Sequence, residues 1–185
     1  MTVDEQTVAA LVDRVAELER TTRRMSDELE IRRIFAWYGF YADHNLNDEW
    51  AGLFTPDATL DVMMYYGDDP NKMDGSMFRQ TVYRGRDEMV EKVLLSAAHQ
   101  AILGRSQHHL DGQPAIIDFE SDTVATATTY GLLYIATATA DRNVEYTNLS
   151  VNNWRFVKTD RWYIEGCVRR RIDGDTLPLL PAERR

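Results

Sequence analysis

The chain has few of the residues on which several classes of protein depend. Cys167 is the only cysteine among 185 residues, so an intramolecular disulfide is impossible and a structural zinc site built on several cysteines is excluded. The four histidines form no His-x-His pair and no His-Glu-x-x-His motif. Gly-rich phosphate loops and nucleophile elbows are absent from the sequence as well. We therefore expect no metal, no nucleotide cofactor and no serine-type hydrolysis.

Long apolar runs and an excess of positive charge are also missing. No segment approaches the roughly 20 apolar residues that span a bilayer, and no secretory signal pattern opens the chain, so a cytoplasmic location is expected. The 21 Lys and Arg residues are outnumbered by 30 Asp and Glu residues, which gives a formal net charge of −9. An acidic protein repels phosphate backbones and anionic lipid, so we expect no nucleic acid and no membrane as partner. A small hydrophobic molecule is therefore the expected partner of this chain.

The N-terminal segment carries a seven-residue repeat of apolar positions at alternating spacings of three and four. This pattern predicts a continuous helix over the first thirty residues. Its apolar face is either the seam of a short coiled coil between copies or a face laid on the chain's own domain, and the sequence leaves both open. The repeat consists of Val8, Leu11, Val15, Leu18, Thr22, Met25 and Leu29.

The rest of the chain changes from helical to strand patterns. A second helical pattern ends near Asp43, a short turn follows at 49–54, and a third helix is predicted from Gly85 to residue 101. Threonine, tyrosine and valine enrichment with short turns predicts antiparallel strands afterwards. Helices followed by strands indicate an α+β domain with helices packed on a curved sheet. We divide the chain into a helix at 1–26, a domain at 27–172 and a tail at 173–185. Strands are predicted at 59–66, 78–84, 106–119, 123–140, 144–158 and 161–172.

Five separated motifs resemble the SnoaL-like family of the nuclear-transport-factor-two-like superfamily. The resemblance covers roughly residues 27–172. It implies a cone-shaped α+β barrel around an apolar pocket, with a curved, mainly antiparallel sheet, three packing helices and, in this chain, an extra N-terminal helix. Because relatives are commonly dimers or trimers, we expect a homo-oligomer, with the N-terminal helix as a possible contact. The motifs are Ile31-Arg-Arg-Ile34 with Tyr38, Asp43 and Asp48; Leu53-Phe54-Thr55-Pro56-Asp57-Ala58; Arg84-Gly85-Arg86-Asp87-Glu88; Gln107-His108-His109-Leu110; and Arg161-Trp162-Tyr163-Ile164.

Dehydratases and dehydrochlorinases of this superfamily share an aspartate–histidine dyad. The resemblance places Asp43 and His109 at these two positions, and Tyr38 resembles a tyrosine near the same site. A carboxylate bonded to one imidazole nitrogen fixes the tautomer and leaves the other nitrogen free to accept a proton. Such a base serves dehydration, dehydrohalogenation and double-bond isomerisation, and it needs no cofactor.

The residues themselves leave these roles open. Helix counting places Asp43 off the apolar face of its helix, where it would serve only as a cap. His108 and His109 are neighbours on a predicted strand and face opposite sides, so the resemblance alone selects His109 as the inward one. His44 and His99 are predicted to lie on the surface.

The predicted function is a cofactor-independent lyase or isomerase acting on a hydrophobic small molecule, such as a polyketide, a steroid or another ring compound. The alternative is a non-catalytic subunit that binds a ligand or holds an assembly together, like the small subunit of a ring-hydroxylating oxygenase. Tyr38 is the first candidate for a hydrogen-bond donor to the substrate. The other predicted substrate-binding residues are Tyr130, Asn148, Asn152, Met64 and Phe35.

Overall fold

The computed structural model describes residues 5–65, 78–109, 115–136 and 144–172. For residues 5, 63–65, 78, 109 and 144–148 the description is limited to the backbone. The segment 67–77, which is rich in Gly, Asp, Pro and Asn and is predicted as an exposed loop, and the tail predicted at 173–185 lie outside these ranges.

The N-terminal part of the chain forms one long helix, α1 (Glu5–Asp43), of 39 residues. No proline or glycine precedes Gly39 within it, so nothing interrupts its hydrogen-bond ladder. The two successive helical patterns of the sequence therefore form a single element of roughly 58 Å, which runs through residue 26 without a break. Its first buried side chain is Ile31. No helix of the described ranges is both long and apolar enough to cross a membrane.

Four shorter helical segments complete the helices of the described chain. The third helix, predicted as one element, is divided into an α-helical turn, a π-helical turn and a last helix. Ser96 separates the last two, since its hydroxyl accepts a hydrogen bond from the His99 N–H and caps the following helix. The segments are α2 (Asn47–Ala51), α3 (Arg86–Met89), the π-helical turn Val90–Leu94 and α4 (Ala97–Ile102).

The described chain has seven strands: β1 (Phe54–Tyr65), β2 (Phe78–Arg84), β3 (Ser106–His109), β4 (Ile116–Phe119), β5 (Val124–Ala136), β6 (Val144–Lys158) and β7 (Trp162–Arg171). They form one sheet with the order β2-β1-β7-β6-β5-β3, and β4 also pairs with β5. The β1–β7 pair is parallel and the other pairs are antiparallel. The curved, mainly antiparallel sheet with its packing helices confirms the predicted α+β cone.

Aromatic side chains make up much of the core between α1 and the sheet. Small residues of β5 lie opposite large residues of β6, with Ala127 paired to Trp154 and Ala125 to Phe156. Phe35 of α1 packs edge-on against this Trp154, with ring centroids 5.3 Å apart. Because small side chains of β5 alternate with large side chains of β6, the side chains of α1 and of the sheet can interdigitate. The apolar pocket inside the cone remains a prediction.

Asp27 fastens the middle of α1 to the start of β7. Its Oδ1 accepts hydrogen bonds from Lys158 Nζ at 2.6 Å and from the indole nitrogen of the buried Trp162 at 3.0 Å. Burial alone would raise the pKa of Asp27, but these bonds and the Lys158 charge outweigh it, so the pKa lies below its usual value. Asp27 therefore stabilises the fold above its unfolded-state pKa, and this contribution is lost as the pH falls.

We expect Asp27→Asn to lower the free energy of unfolding by about 1–2 kcal/mol at pH 7, because a charged acceptor is lost. The difference from the parent protein should shrink as the pH falls below about 4, because the carboxyl of the unfolded chain then takes up a proton more readily than the folded Asp27 does. Urea unfolding at pH 7 and pH 3 measures both effects. Asp13→Asn, at an exposed position of the same helix, is the control. An equal loss at both pH values would contradict this role for the Asp27 charge.

Candidate functional site

Asp43, the last residue of α1, receives three hydrogen bonds from β3. Its Oδ1 accepts from His108 Nδ1 at 2.6 Å and from the Ser106 hydroxyl at 3.2 Å, and its Oδ2 accepts from the His108 backbone N–H at 2.8 Å. The Asp43 side chain is only 8% exposed and that of His108 16%. Because these partners lie 63 and 65 residues along the chain, Asp43 is more than a local helix cap.

The imidazole that contacts Asp43 is therefore that of His108, whereas the sequence predicted His109 as its partner. In the register of β3 on β5, Ser106 lies opposite the buried Ile135. His108 is two residues further on and shares that inward face. Strand alternation predicts that one of two neighbours points inward, but the register against β5 decides which. The side chain of His109 lies outside the described residues.

Gly39 lets β3 come close enough to α1 for this contact. A Cβ added at Gly39 would lie 2.5 Å from the carbonyl oxygen of His108, and a backbone oxygen cannot move away as the end of a flexible side chain can. Gly39 is one helical turn before Asp43, so both lie on the same side of α1. The sequence hint is a glycine inside a helical pattern, where it costs about 1 kcal/mol relative to alanine.

The geometry of the dyad sets the ionisation of Asp43 and the tautomer of His108. Burial alone would raise the pKa of Asp43, but the hydrogen bonds and charge of His108 and the bond from Ser106 outweigh it, so the pKa lies below its usual value. An ionised Asp43 holds a proton on His108 Nδ1 and leaves the lone pair on Nε2. Among the described residues Nε2 has no hydrogen-bond partner. His108 is thus arranged to accept a proton at Nε2.

A second histidine lies behind the dyad, where the sequence predicted a surface residue. His99 is only 8% exposed, and its ring centroid lies 6.0 Å from that of His108. Its Nε2 lies 3.0 Å from the backbone oxygen of Ala42, a contact that requires a proton on that nitrogen. Burial, together with the neighbouring His108, lowers the pKa of His99. A neutral His99 therefore stands next to the dyad and adds no charge to it.

The dyad lies in a cleft of about 520 Å³ between the end of α1 and β3. Its walls are partly apolar, and Phe40 at its edge is 46% exposed and stacks on the His44 ring with centroids 4.0 Å apart. This volume falls within the range typical of small-molecule sites. The lining residues include Ala36, Phe40, Asp43, Arg105, Gln107 and His108.

Comparison with protein families decides the family. The model of the SnoaL-like domain matches residues 23–168, which is most of the chain. The chain belongs to the SnoaL-like family. This confirms the resemblance seen in the five sequence motifs. No curated protein sequence matches the chain.

Solved structures share the SnoaL-like cone at low sequence identity. A nuclear-transport-factor-two-like protein with a cystatin-like fold from Novosphingobium aromaticivorans is 20% identical, with 95% of each chain covered and a TM-score of 0.68. A candidate scytalone dehydratase from the same organism is 21% identical over 88% of this chain and 99% of that one, with a TM-score of 0.61. The beta subunit of a candidate aromatic-ring-hydroxylating dioxygenase, also from that organism, is 14% identical over 85% and 94%, with a TM-score of 0.60. At these identities the likeness shows the fold alone.

Tyr38, predicted as a hydrogen-bond donor, lies within the aromatic core of the SnoaL-like domain. Its ring centroid is 5.3 Å from that of Trp50, and the Arg169 guanidinium lies 5.8 Å from its ring centroid. No hydrogen bond joins Tyr38 to Asp43 or His108 in the described chain. Burial raises the pKa of its hydroxyl, so Tyr38 keeps its proton and can donate it.

Arg169 and Asn152 form a polar group in the same interior. Asn152, predicted as substrate-binding, is fully buried; its Oδ1 accepts from Arg169 Nε at 2.7 Å, and its Nδ2 donates to Thr129 Oγ1 at 3.3 Å. Arg169 Nη2 is buried and has no hydrogen-bond partner in the described part of the chain. Arg169 is not among the site residues predicted from the sequence. The sequence does show three consecutive arginines on one strand, and neighbouring side chains of a strand face opposite sides of the sheet. Arg170 therefore points away from Asn152 and bonds to Asp61.

The other predicted substrate-binding residues are not brought to the dyad. Phe35 is buried and packs edge-on against core aromatics. Tyr130 is 49% exposed between two buried neighbours, so it lies on the outer face of β5. The side chains of Met64 and Asn148 lie outside the described residues. Within those residues, no group of three His, Cys, Asp or Glu side chains could hold a metal ion.

Proposed function

We propose that this SnoaL-like protein is a cofactor-independent lyase or isomerase that removes a proton from a hydrophobic ring compound. His108 is the general base and acid, and Asp43 orients and charges it. The observation that carries the proposal is the 2.6 Å contact between Asp43 Oδ1 and His108 Nδ1 in a cleft large enough for a small molecule. A base held in this way contributes roughly 10²–10⁴-fold to a rate.

The reaction begins when Nε2 of His108 takes a proton from a carbon next to a carbonyl group. The electrons of that C–H bond form a double bond to the carbonyl carbon, and the π electrons of the carbonyl group move onto its oxygen. In a dehydration the carbonyl group then re-forms, the double bond shifts to the carbon that carries a hydroxyl, the C–O bond of that hydroxyl breaks, and the departing hydroxide takes the proton from the imidazolium as water. In an isomerisation the same proton returns to another carbon. Throughout, the carboxylate of Asp43 stabilises the positive ring.

The carbonyl oxygen gains negative charge in this reaction and needs a donor. Among the residues that line the cleft, Arg105 and Gln107 carry N–H donors. Tyr38, whose hydroxyl keeps its proton, and Arg169, whose Nη2 has no partner in the described chain, are donors of the interior and do not line this cleft. Asn152 is a weaker choice because its amide already bonds to Arg169 and Thr129. The candidate scytalone dehydratase among the structural neighbours supports a lyase.

Hydrogen exchange tests this proposal before the natural substrate is known. The protein is incubated in D₂O with a panel of ring ketones and β-hydroxy ketones, and deuterium uptake and water loss are followed by mass spectrometry. We expect Asp43→Asn to slow any turnover by roughly 10²-fold or more, because an amide at this position favours the wrong tautomer of His108. Asp48→Asn, at an exposed position of α2, should leave the rate unchanged. An Asp43→Asn protein with full activity would refute the dyad.

A non-catalytic assembly subunit is the second candidate. The dioxygenase beta subunit among the structural neighbours favours it, and so does the exposed start of α1. This role predicts no exchange on any compound of the panel, together with a stoichiometric complex with a larger oxygenase subunit that survives replacement of His108. Exchange that depends on Asp43 would exclude it.

A further inference from the structure

The first half of α1 projects from the domain with its apolar face uncovered. Between residues 6 and 26 every side chain is exposed except the half-buried Ala16. The apolar repeat positions are among the most exposed large hydrophobic side chains, with Leu11 at 58%, Leu18 at 53% and Met25 at 61%. The apolar stripe therefore does not pack on the described part of its own domain, which was one of the two alternatives; the segment touches the domain near its end, where the Arg24 guanidinium lies 4.0 Å from the Phe119 ring centroid. A regular apolar stripe that is left in solvent marks an interaction surface.

The residue types along this stripe match one kind of partner. With Val8 as position a of a heptad, the a positions are Val8, Val15, Thr22 and Leu29, and the d positions are Leu11, Leu18 and Met25. Valine at a with leucine at d favours two parallel strands, and one polar a residue such as Thr22 specifies register. We propose that α1 forms a parallel, in-register, two-stranded coiled coil with α1 of a second copy, from Val8 to Leu29.

The charges beside the stripe favour the same arrangement. In a parallel pair each g residue faces the e residue five positions later on the partner. Arg14 at g would face Glu19 at e, and Glu28 at g would face Arg33 at e, so both contacts join opposite charges. Within the described chain Arg14 and Glu19 have no partner of their own. Antiparallel pairing that places Arg14 opposite Glu28 would also place the two Glu19 side chains opposite each other, which is unfavourable.

The domain itself sets where the coiled coil ends. Gly39 occupies the d position that continues the repeat, and the backbone of His108 already covers it. The partner helix must therefore diverge before this point. Because the second half of α1 is anchored in the domain, the projecting half does not have to nucleate its own helix. This proposal does not depend on the catalytic one.

Analytical ultracentrifugation of the full chain tests the surface. We expect a dimer at micromolar concentration, and Leu11→Lys with Leu18→Lys should raise the dissociation constant by at least 100-fold. Ala9→Lys with Ala16→Lys adds the same charge at the same spacing away from the stripe and should leave the dimer intact. A parent protein that stays monomeric, forms a trimer, or remains dimeric after the Leu11 and Leu18 replacements would overturn the proposal.

Two further variants test the orientation. Arg14→Glu should weaken the dimer and Arg14→Glu with Glu19→Arg should restore it, because only the parallel register joins these positions. In Thr22→Cys the two new thiols face each other across a parallel seam, so oxidation should yield a covalent dimer; the native Cys167 is buried. A dimer that neither crosslinks at position 22 nor recovers with the double charge exchange would overturn the parallel arrangement.

Discussion

Replacing His108 by alanine is expected to reduce proton abstraction by roughly 10²–10⁴-fold while the domain stays folded. His108 supplies the Nε2 lone pair, and it is this imidazole that the structure pairs with Asp43. The free energy of unfolding should fall as well, because the buried Asp43 carboxylate loses one donor, but the Ser106 hydroxyl and the backbone N–H of residue 108 still bond to it. Deuterium uptake by an active ring ketone measures the rate, and urea unfolding measures the stability.

His109→Ala is the matched control, one residue away on the same strand. It should keep the activity of the parent protein within a few-fold. The reverse result, with activity lost in His109→Ala and kept in His108→Ala, would return the base to the residue that the family resemblance selected. The pair of variants thus decides between the structural and the sequence assignment.

Replacing Gly39 by valine is expected to lower the stability of the domain strongly. Any Cβ here would lie 2.5 Å from the His108 carbonyl oxygen, so β3 must move away from α1. We expect a loss of about 3 kcal/mol in the free energy of unfolding, at the upper end of overpacking effects. The displaced strand should also take His108 away from Asp43, so turnover should fall together with stability.

Ala10→Val on the same helix provides the control for this variant. Residue 10 is exposed in the projecting part of α1, so the added methyl groups should change the free energy of unfolding by no more than about 0.5 kcal/mol. Urea unfolding measures both proteins, and the NMR signals of the His108 ring report its distance from Asp43. A Gly39→Val protein of unchanged stability would show that β3 does not rest on this glycine.

Local sequence patterns predict the helices and strands of the fold. The apolar spacing along α1 and the threonine- and valine-rich strands specify helix and strand with little help from the rest of the chain. The stop near Asp43 is equally local, because turn-forming residues follow it. The same local period predicted the exposed apolar stripe from Val8 to Leu29, but it could not say whether the domain covers that stripe.

The choice between His108 and His109 was decided by the tertiary structure. Both are strand residues of the same type, and one step along a strand exchanges the two faces of the sheet. The pairing of Ser106 with Ile135, almost thirty residues away, turns His108 toward Asp43. Gly39, His99 and Arg169 acquire their importance in the same way, from what the folded chain places against them. Local periodicity specifies elements and their faces, but a site depends on the register between elements, which no local pattern contains.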